Sequence, residues 1–373
     1  MNNNYLNKIA GNQKVKSLLS NILKSKNIPH AFLFSGSEGL GKEHAAINFA
    51  KELNLLGIID EQKKAKVVQS INSFTEPFIK YIYPLPRGKN ETDHNDPYEK
   101  LSTDKIDIIN SELQIKSENP FYRIKIPRAN QIKVSSIRDI KKFLSLNYDD
   151  VNFRVILISQ AHLMNEESQN ALLKNLEEPP AGVVFILTTA SPEKLRETIR
   201  SRCWRIDFQP LPDEDLETIL VEKFNIELDI AVEVIPFAEG SVQNAISLIE
   251  SNFLDLLEQT IRVLRYSFGK KYNSALLEFD EIISESDNAK LKLIIRLLLT
   301  WFNDLQRYRL NPDSKLFFNK HIETIRKFNE KFPDSDIQKT ISNIDSISSY
   351  TKNNINLNVA VSNIIAQLSL VTA

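Results

Sequence analysis

The sequence predicts an α/β domain built on a parallel sheet, followed by helical domains that run to the C-terminus. Segments with strand and helix patterns alternate from HAFLFSG at 30–36 to WRIDF at 204–208, the order that lays parallel strands beneath crossover helices. Strand signals stop after LPDEDL at 211–216, and the remaining sequence has helical spacing only. At 373 residues the chain is longer than a usual single domain, so two or three packing units are expected.

Within residues 5–26, Val15, Leu18, Leu19, Ile22 and Leu23 recur at helical spacing among lysines, which predicts an amphipathic helix with a wet basic face. HAFLFSG reads as a buried strand entering a glycine loop, and AAINFAKELNLL at 45–56 as the helix that follows. Residues 57–122 are polar and proline-marked with poor periodicity, and read as a variable insertion or mobile loop. RIKIP (123–127), VSSIRDIKKFLSLNY (134–148), FRVILIS (153–159), EESQNALLKNLEE (166–178), VVFILTT (183–189), PEKLRETIR (192–200) and WRIDF then alternate as strands and helices. A small helical bundle is expected over 211–252, with longer helices over 253–267, 274–285, 288–310, 318–331 and 354–371.

Composition bounds the function. Hydrophobic content of 42%, charged content of 25% and a net charge of -1 describe an ordinary globular chain with no overall field for polyanions. Contact with nucleic acid would be local, or made by partners. A single cysteine, Cys203, excludes an intramolecular disulfide, and MNNNYLNKIAG lacks an apolar signal core; the expected setting is a reducing cytoplasm. The longest apolar run, LIIRLLLTWF at 293–302, contains Arg296 and is too short to span a bilayer.

Gly36-Ser37-Glu38-Gly39-Leu40-Gly41-Lys42 matches GxxxxGK between a strand and a helix. Glycines let backbone N–H groups face a phosphate, the helix start adds positive potential, and the lysine reaches the outer phosphates. Position 43 should carry a hydroxyl for Mg²⁺ but holds Glu43, which would also suit a helix N-terminus on its own account. At the end of FRVILIS an aspartate would help hold the metal and a glutamate would activate water. The chain offers Ser159 and Gln160 instead, and Asp149 and Asp150 lie at the other end of that strand. In TIRSRC (198–203), Arg200 and Arg202 sit on a predicted turn suited to a phosphate or carboxylate partner, although composition alone makes them surface arginines.

Taken together, PHAFLFSGSEGLGK, AHLMNEESQNALLKNLEEPP, ILTTASPEKLRETIRSRC and GSVQNAISLI resemble the clamp-loader branch of the AAA+ superfamily, and within it the delta-prime subunits of bacterial DNA polymerase III. The resemblance covers about residues 1–250 by motif and the helical remainder by layout. It implies an AAA+ P-loop domain over 1–210, a small helical lid over 211–252 and a helical collar over 253–373 that joins five subunits in a ring. It further implies a subunit that does not hydrolyse ATP but lends Arg202 to a neighbour's ATP site. Partners would be gamma/tau-type and delta-type subunits, with the sliding clamp and primed DNA reached through the assembly. No cofactor is required on this reading, and weak ATP or ADP binding through Gly36 to Lys42 is left open. The four-cysteine zinc module common in the family has no counterpart here, so no zinc or other metal is expected. At the place where a nucleotide-sensing arginine often stands the chain has Gln243, which a plain surface glutamine explains equally. The alternative is an active gamma/tau-type ATPase motor subunit, which would need unfamiliar Mg²⁺ ligands.

Overall fold

The computed structural model describes residues 5–9, 11–145, 151–283, 288–350 and 357–372. They form two compact units, Met1–Lys223 with Glu239–Asn244, and Phe224–Ala238 with Ala245–Ala373.

The first unit is the expected α/β domain. Its elements in chain order are α1 (Gln13–Ser25), β1 (Ala31–Ser35), α2 (Lys42–Leu55), α3 (Glu61–Asn72), β2 (Ile79–Ile82), α4 (Thr103–Glu118), α5 (Val134–Ser145), β3 (Arg154–Ile158), α6 (Glu166–Glu177), β4 (Val183–Thr189), α7 (Glu197–Arg200), β5 (Trp204–Asp207) and α8 (Asp213–Phe224). The strands make one parallel sheet in the order β2-β3-β4-β1-β5. Alternate residues feed two cores. Phe32, Phe34, Val155, Leu157, Val184 and Ile186 pack on one face, and Leu33, Ile156, Ile158, Phe185 and Leu187 on the other. A strand covered on both faces must be apolar at every position, which is why AFLFS, RVILI and VVFILTT read as continuous runs. Because all strands point the same way, Ser35, Ser159 and Thr189 arrive at one edge of the sheet. This carboxyl edge is where open α/β sheets hold ligands.

Three local readings differ from the structure. Residues 57–122 are not a loop: they carry α3, the edge strand β2 and α4. Asp60 caps α3 by accepting from the N–H of Gln62 and Lys63, and β2 joins β3 in register from Ile79 opposite Val155 to Ile82 opposite Ile158. α4 escaped notice because its stripe is short: Ile106, Ile109 and Leu113 pack on the core, while exposed Ile108 and Ile115 blur the period. RIKIP forms no strand, and the chain from 122 to 126 follows an irregular path. The long N-terminal helix is broken into a 3₁₀ turn at Tyr5–Lys8 and α1, with Gly11 at φ +51 between them. Asp149 and Asp150 lie outside the described residues.

The second unit is helical, with α9 (Leu228–Val234), α11 (Phe253–Phe268), α12 (Tyr272–Ile283), α13 (Asn288–Leu310), α14 (Ile322–Lys331), α15 (Ile337–Tyr350) and α16 (Leu357–Leu370); α10 (Val242–Glu250) contributes its later residues. α15 was not foreseen, since its serines, asparagine and aspartate favour turns and caps over helix interiors. Ile337, Ile344 and Ile347 nevertheless bury one face. Trp301, Phe302 and Phe318 are fully buried at the centre, with Trp301 and Phe318 edge to face at 5.3 Å.

Asp304 is enclosed beside them, accepting from the Phe318 N–H at 2.9 Å. Burial pushes its carboxyl up to about 6, against the opposing pull of the Phe318 and Phe317 N–H groups and Arg307. Between the ordinary 3.8 and about 6 the folded chain holds the proton more tightly than the unfolded one, so stability should decline as pH rises through this window and stay reduced above it. D304N should lack that decline, with a difference of up to about 3 kcal/mol between pH 4 and 7. Urea unfolding of both proteins across this range checks it.

Candidate functional site: a phosphate loop with an internal cation

The loop from Gly36 to Lys42 joins β1 to α2 as the motif requires. Its N-terminal end is anchored where Gly36 N–H donates to Thr189 O at 3.2 Å, at the end of β4. Gly39 (φ +74) and Gly41 (φ +80) take left-handed conformations, and a Cβ on Gly39 would lie 2.0 Å from Ser241 Oγ and 2.8 Å from Gln243 Cβ. Glycine is required at position 39 both for its φ and for this approach. Gln243, the residue at the sensing position, is thereby placed against the loop.

Lys42 does not reach outward. Its ammonium donates to Gly36 O at 2.6 Å and to Ser37 O, both within its own loop. Burial lowers it to about 8, against the raising influence of Glu43 and Glu38.

Glu43 opens α2 and turns toward the strand ends. It accepts from the Ser159 hydroxyl, from Tyr81 OH at 3.0 Å, and from Lys116 Nζ at 2.6 Å. Lys116 comes from α4 and its side chain is 2% exposed. Burial alone would raise the Glu43 carboxyl, but the charge and hydrogen bond of Lys116, with those of Ser159 and Tyr81, hold it below the ordinary carboxylate range. The structure therefore brings the two anomalous positions, 43 and 159, into direct contact and adds a lysine the sequence did not disclose.

Gln160, the other neutral replacement, stands at φ +51 with its N–H on Thr188 Oγ1 at 3.2 Å and its side-chain oxygen accepting from Arg123 at 3.0 Å. Thr189 Oγ1 lies 3.2 Å from His162 Nδ1 and accepts from Ser191 N–H at 3.0 Å. This donor set does not fit a hydrated Mg²⁺. That ion needs several oxygen ligands in octahedral order, whereas the one carboxylate at the position already binds an ammonium and two hydroxyls. Neither Ser159 nor Gln160 is a base. No step of ATP hydrolysis follows from these residues.

Arg202 does not line this pocket. α6 frames its turn. Asn165 caps α6 by accepting from Ser168 N–H, Gln169 Nε2 donates to Lys194 O at 3.2 Å, and Gln169 Oε1 accepts from Arg196 N–H at 2.8 Å. Buried Leu195, Ile199 and Cys203 anchor the turn below. Arg202 then donates to Thr198 O at 2.9 Å and pairs with Glu177 at 3.1 Å, with its side chain 36% exposed. Arg200 is exposed.

The sequence reading missed Lys116, Tyr81 and Arg123. Thr188 and Thr189 were legible as the end of a strand beside the loop, but nothing in ELQIKSEN marks Lys116 as an inward residue.

With this geometry in hand, comparison with known proteins identifies the family. The model described as "DNA polymerase III, delta subunit" matches residues 11–212. The chain belongs to that family. DNA polymerase III subunit tau of Bacillus subtilis is 28% identical over 355 residues, 87% of this chain and 54% of its own. Subunit tau of Escherichia coli is 30% identical over 247 residues, 65% of this chain and 32% of its own. The chain thus spans from about a third to about half of these relatives' length. Among solved structures, a gamma subunit-related protein of Thermotoga maritima covers 95% of this chain and 99% of its own, at 16% identity and a TM-score of 0.42.

Removing one partner of the Glu43–Lys116 pair should destabilise strongly, by about 3–5 kcal/mol, because the other charge is left buried and alone. E43Q/K116M, which removes both charges, should cost far less. The pair's contribution should be complete above pH 4.5 and lost as pH falls below it, a dependence the double variant should lack. Urea titrations of E43A, K116A and E43Q/K116M between pH 3 and 7 test all three statements.

Proposed function

We propose that this chain is a delta-prime-type subunit of the DNA polymerase III clamp loader. It does not hydrolyse ATP itself, and it lends Arg202 to the ATP site of a neighbouring subunit. The observation that carries the reading is the Lys116 ammonium on Glu43, where a metal-bound hydroxyl would be needed. The turn that presents Arg202 supports the second half. Its backbone is fixed from α6, while among the described residues the guanidinium has a partly exposed glutamate and one carbonyl as partners. An incoming γ-phosphate can compete for such a group, and its planar fork suits phosphate oxygens. Assembly with gamma/tau-type and delta-type subunits in a five-membered ring, a lid over 211–252 and a collar over 253–373 belong to this proposal. So does a cytoplasmic location, with which the absence of any membrane-length apolar helix among the described residues is consistent.

A second reading has support of its own, since the relatives cited above carry the name tau. On that reading the chain would be an ATPase motor subunit. Turnover by the isolated chain separates the two. The purified protein should show no MgATP hydrolysis above a K42A control, and K42A-sensitive turnover would establish the motor reading instead.

R202A should leave co-elution with the other loader subunits intact while lowering the DNA-stimulated ATPase of the reconstituted assembly. At the site it serves, loss of such an arginine removes roughly 10³-fold or more in rate. The assembly should therefore lose that site's share of turnover. Unchanged turnover would remove Arg202 from the mechanism.

A further inference from the structure

The segment after α4 extends what Lys116 begins. Besides binding Glu43, Lys116 Nζ donates to Pro120 O at 2.8 Å and Tyr122 O at 2.6 Å. One ammonium thus ties the end of α4, the following turn and the first turn of α2 together. Asn119 Oδ1 accepts from Phe121 N–H at 3.0 Å, and Tyr122 OH bonds Glu112 at 3.1 Å, which fixes the turn from its own side.

Phe121 then covers the start of α2. Its ring lies against the His44 imidazole with centroids 4.6 Å apart, and a Cβ on Gly41 would come 3.3 Å from its edge. The Lys223 ammonium stands 5.6 Å over the same ring. Burial, with the Lys223, Lys51, Lys116 and Lys8 charges, pushes His44 down to about 3, so the imidazole meets the ring, tilted by 42°, as a neutral group. Arg123 reaches across the phosphate loop, pairing with Glu38 and donating to Gln160 Oε1 at 3.0 Å.

These contacts fill two places that a nucleotide complex would use. A cation sits on the residue at the metal position, a planar ring lies beside the loop, and both are joined by a short stretch of chain crossing the loop's mouth. We propose that residues 116–123 are a built-in pseudo-ligand, so that a nucleoside triphosphate can enter this pocket only by displacing them. The proposal deepens the reading of a non-hydrolysing site and is independent of Arg202. Glu43 alone accounts for poor metal binding; the pseudo-ligand adds direct competition for the space.

The full-length chain titrated with a fluorescent ATP analogue in the presence and absence of Mg²⁺ tests it. F121A, which removes the ring and leaves the Glu43–Lys116 pair in place, should bind at least tenfold more tightly than the unmodified protein. E43T/K116M, which restores a hydroxyl and removes the ammonium, should gain Mg²⁺-dependent binding. Hydrogen exchange in the unmodified protein provides a check that needs no variant: at saturating nucleotide, amides of 119–123 should lose protection. Micromolar binding by the unmodified protein with protection of 119–123 unchanged would overturn the proposal, as would natively folded F121A and E43T/K116M that bind no better than the parent. The R202A assay reads turnover on another subunit, so either result can fail without the other.

Discussion

A carboxylate and an ammonium 2.6 Å apart at the start of α2 set the character of this site. A phosphate loop concentrates donors and positive potential around a helix N-terminus. Placing Glu43 there puts a negative charge beside the place phosphate oxygens would take, and its proximity to the strand ends would leave it poorly solvated. Lys116 resolves that conflict from the other side, with Ser159 and Tyr81 taking up the remaining acceptor capacity. Once these four groups are satisfied by one another, a divalent cation has no free carboxylate to bind. The poor fit of this position to a metal ion is thus a property of a closed network, which takes more than one substitution to undo.

The parallel sheet makes this network possible. β1, β3 and β4 end at one edge, and the residues that follow them are neighbours in space although those after β1 lie more than 100 positions in sequence from those after β3 and β4. β2 extends the same sheet and carries Tyr81 to within reach of Glu43. The connection from β2 through α4 can then deliver Lys116 to the same edge. What looks in the sequence like an accessory stretch is therefore part of the site's chemistry.

The division between what could and could not be read follows from this. Strands buried on both faces announce themselves as apolar runs, and the glycine spacing of 36–42 with its flanking strand and helix is a local pattern. Glu43, Ser159 and Gln160 were visible as departures because the loop fixes which positions matter. Lys116 and Arg123 were not, since their roles depend on the path of residues 83–124, whose helix α4 has its short core-facing stripe blurred by exposed Ile108 and Ile115 and whose final stretch has no regular structure. The β2 strand was hidden for a related reason: IKYI is four residues long and is followed closely by prolines, too short for periodicity to distinguish it from a loop.

The turn framed by α6 carries two arginines with opposite arrangements around them. Arg196 is held by Glu166 at 3.1 Å and Asn170 at 2.6 Å, with its own N–H on Gln169, and so serves to lock the turn onto α6. Arg202, six residues on, has its backbone locked by that same turn but its charge shared, among the described residues, with Glu177 and a carbonyl. Partly exposed ion pairs are weak, on the order of 1 kcal/mol or less, so Glu177 can orient the guanidinium in solution without holding it against a stronger anion. The Arg202 guanidinium is thus pre-positioned at small cost and can be released to another anion at small cost. The contrast with Glu43 is one of degree of enclosure: the charge at the phosphate loop is neutralised internally and withdrawn, whereas the charge at 202 is kept near the surface and only loosely committed.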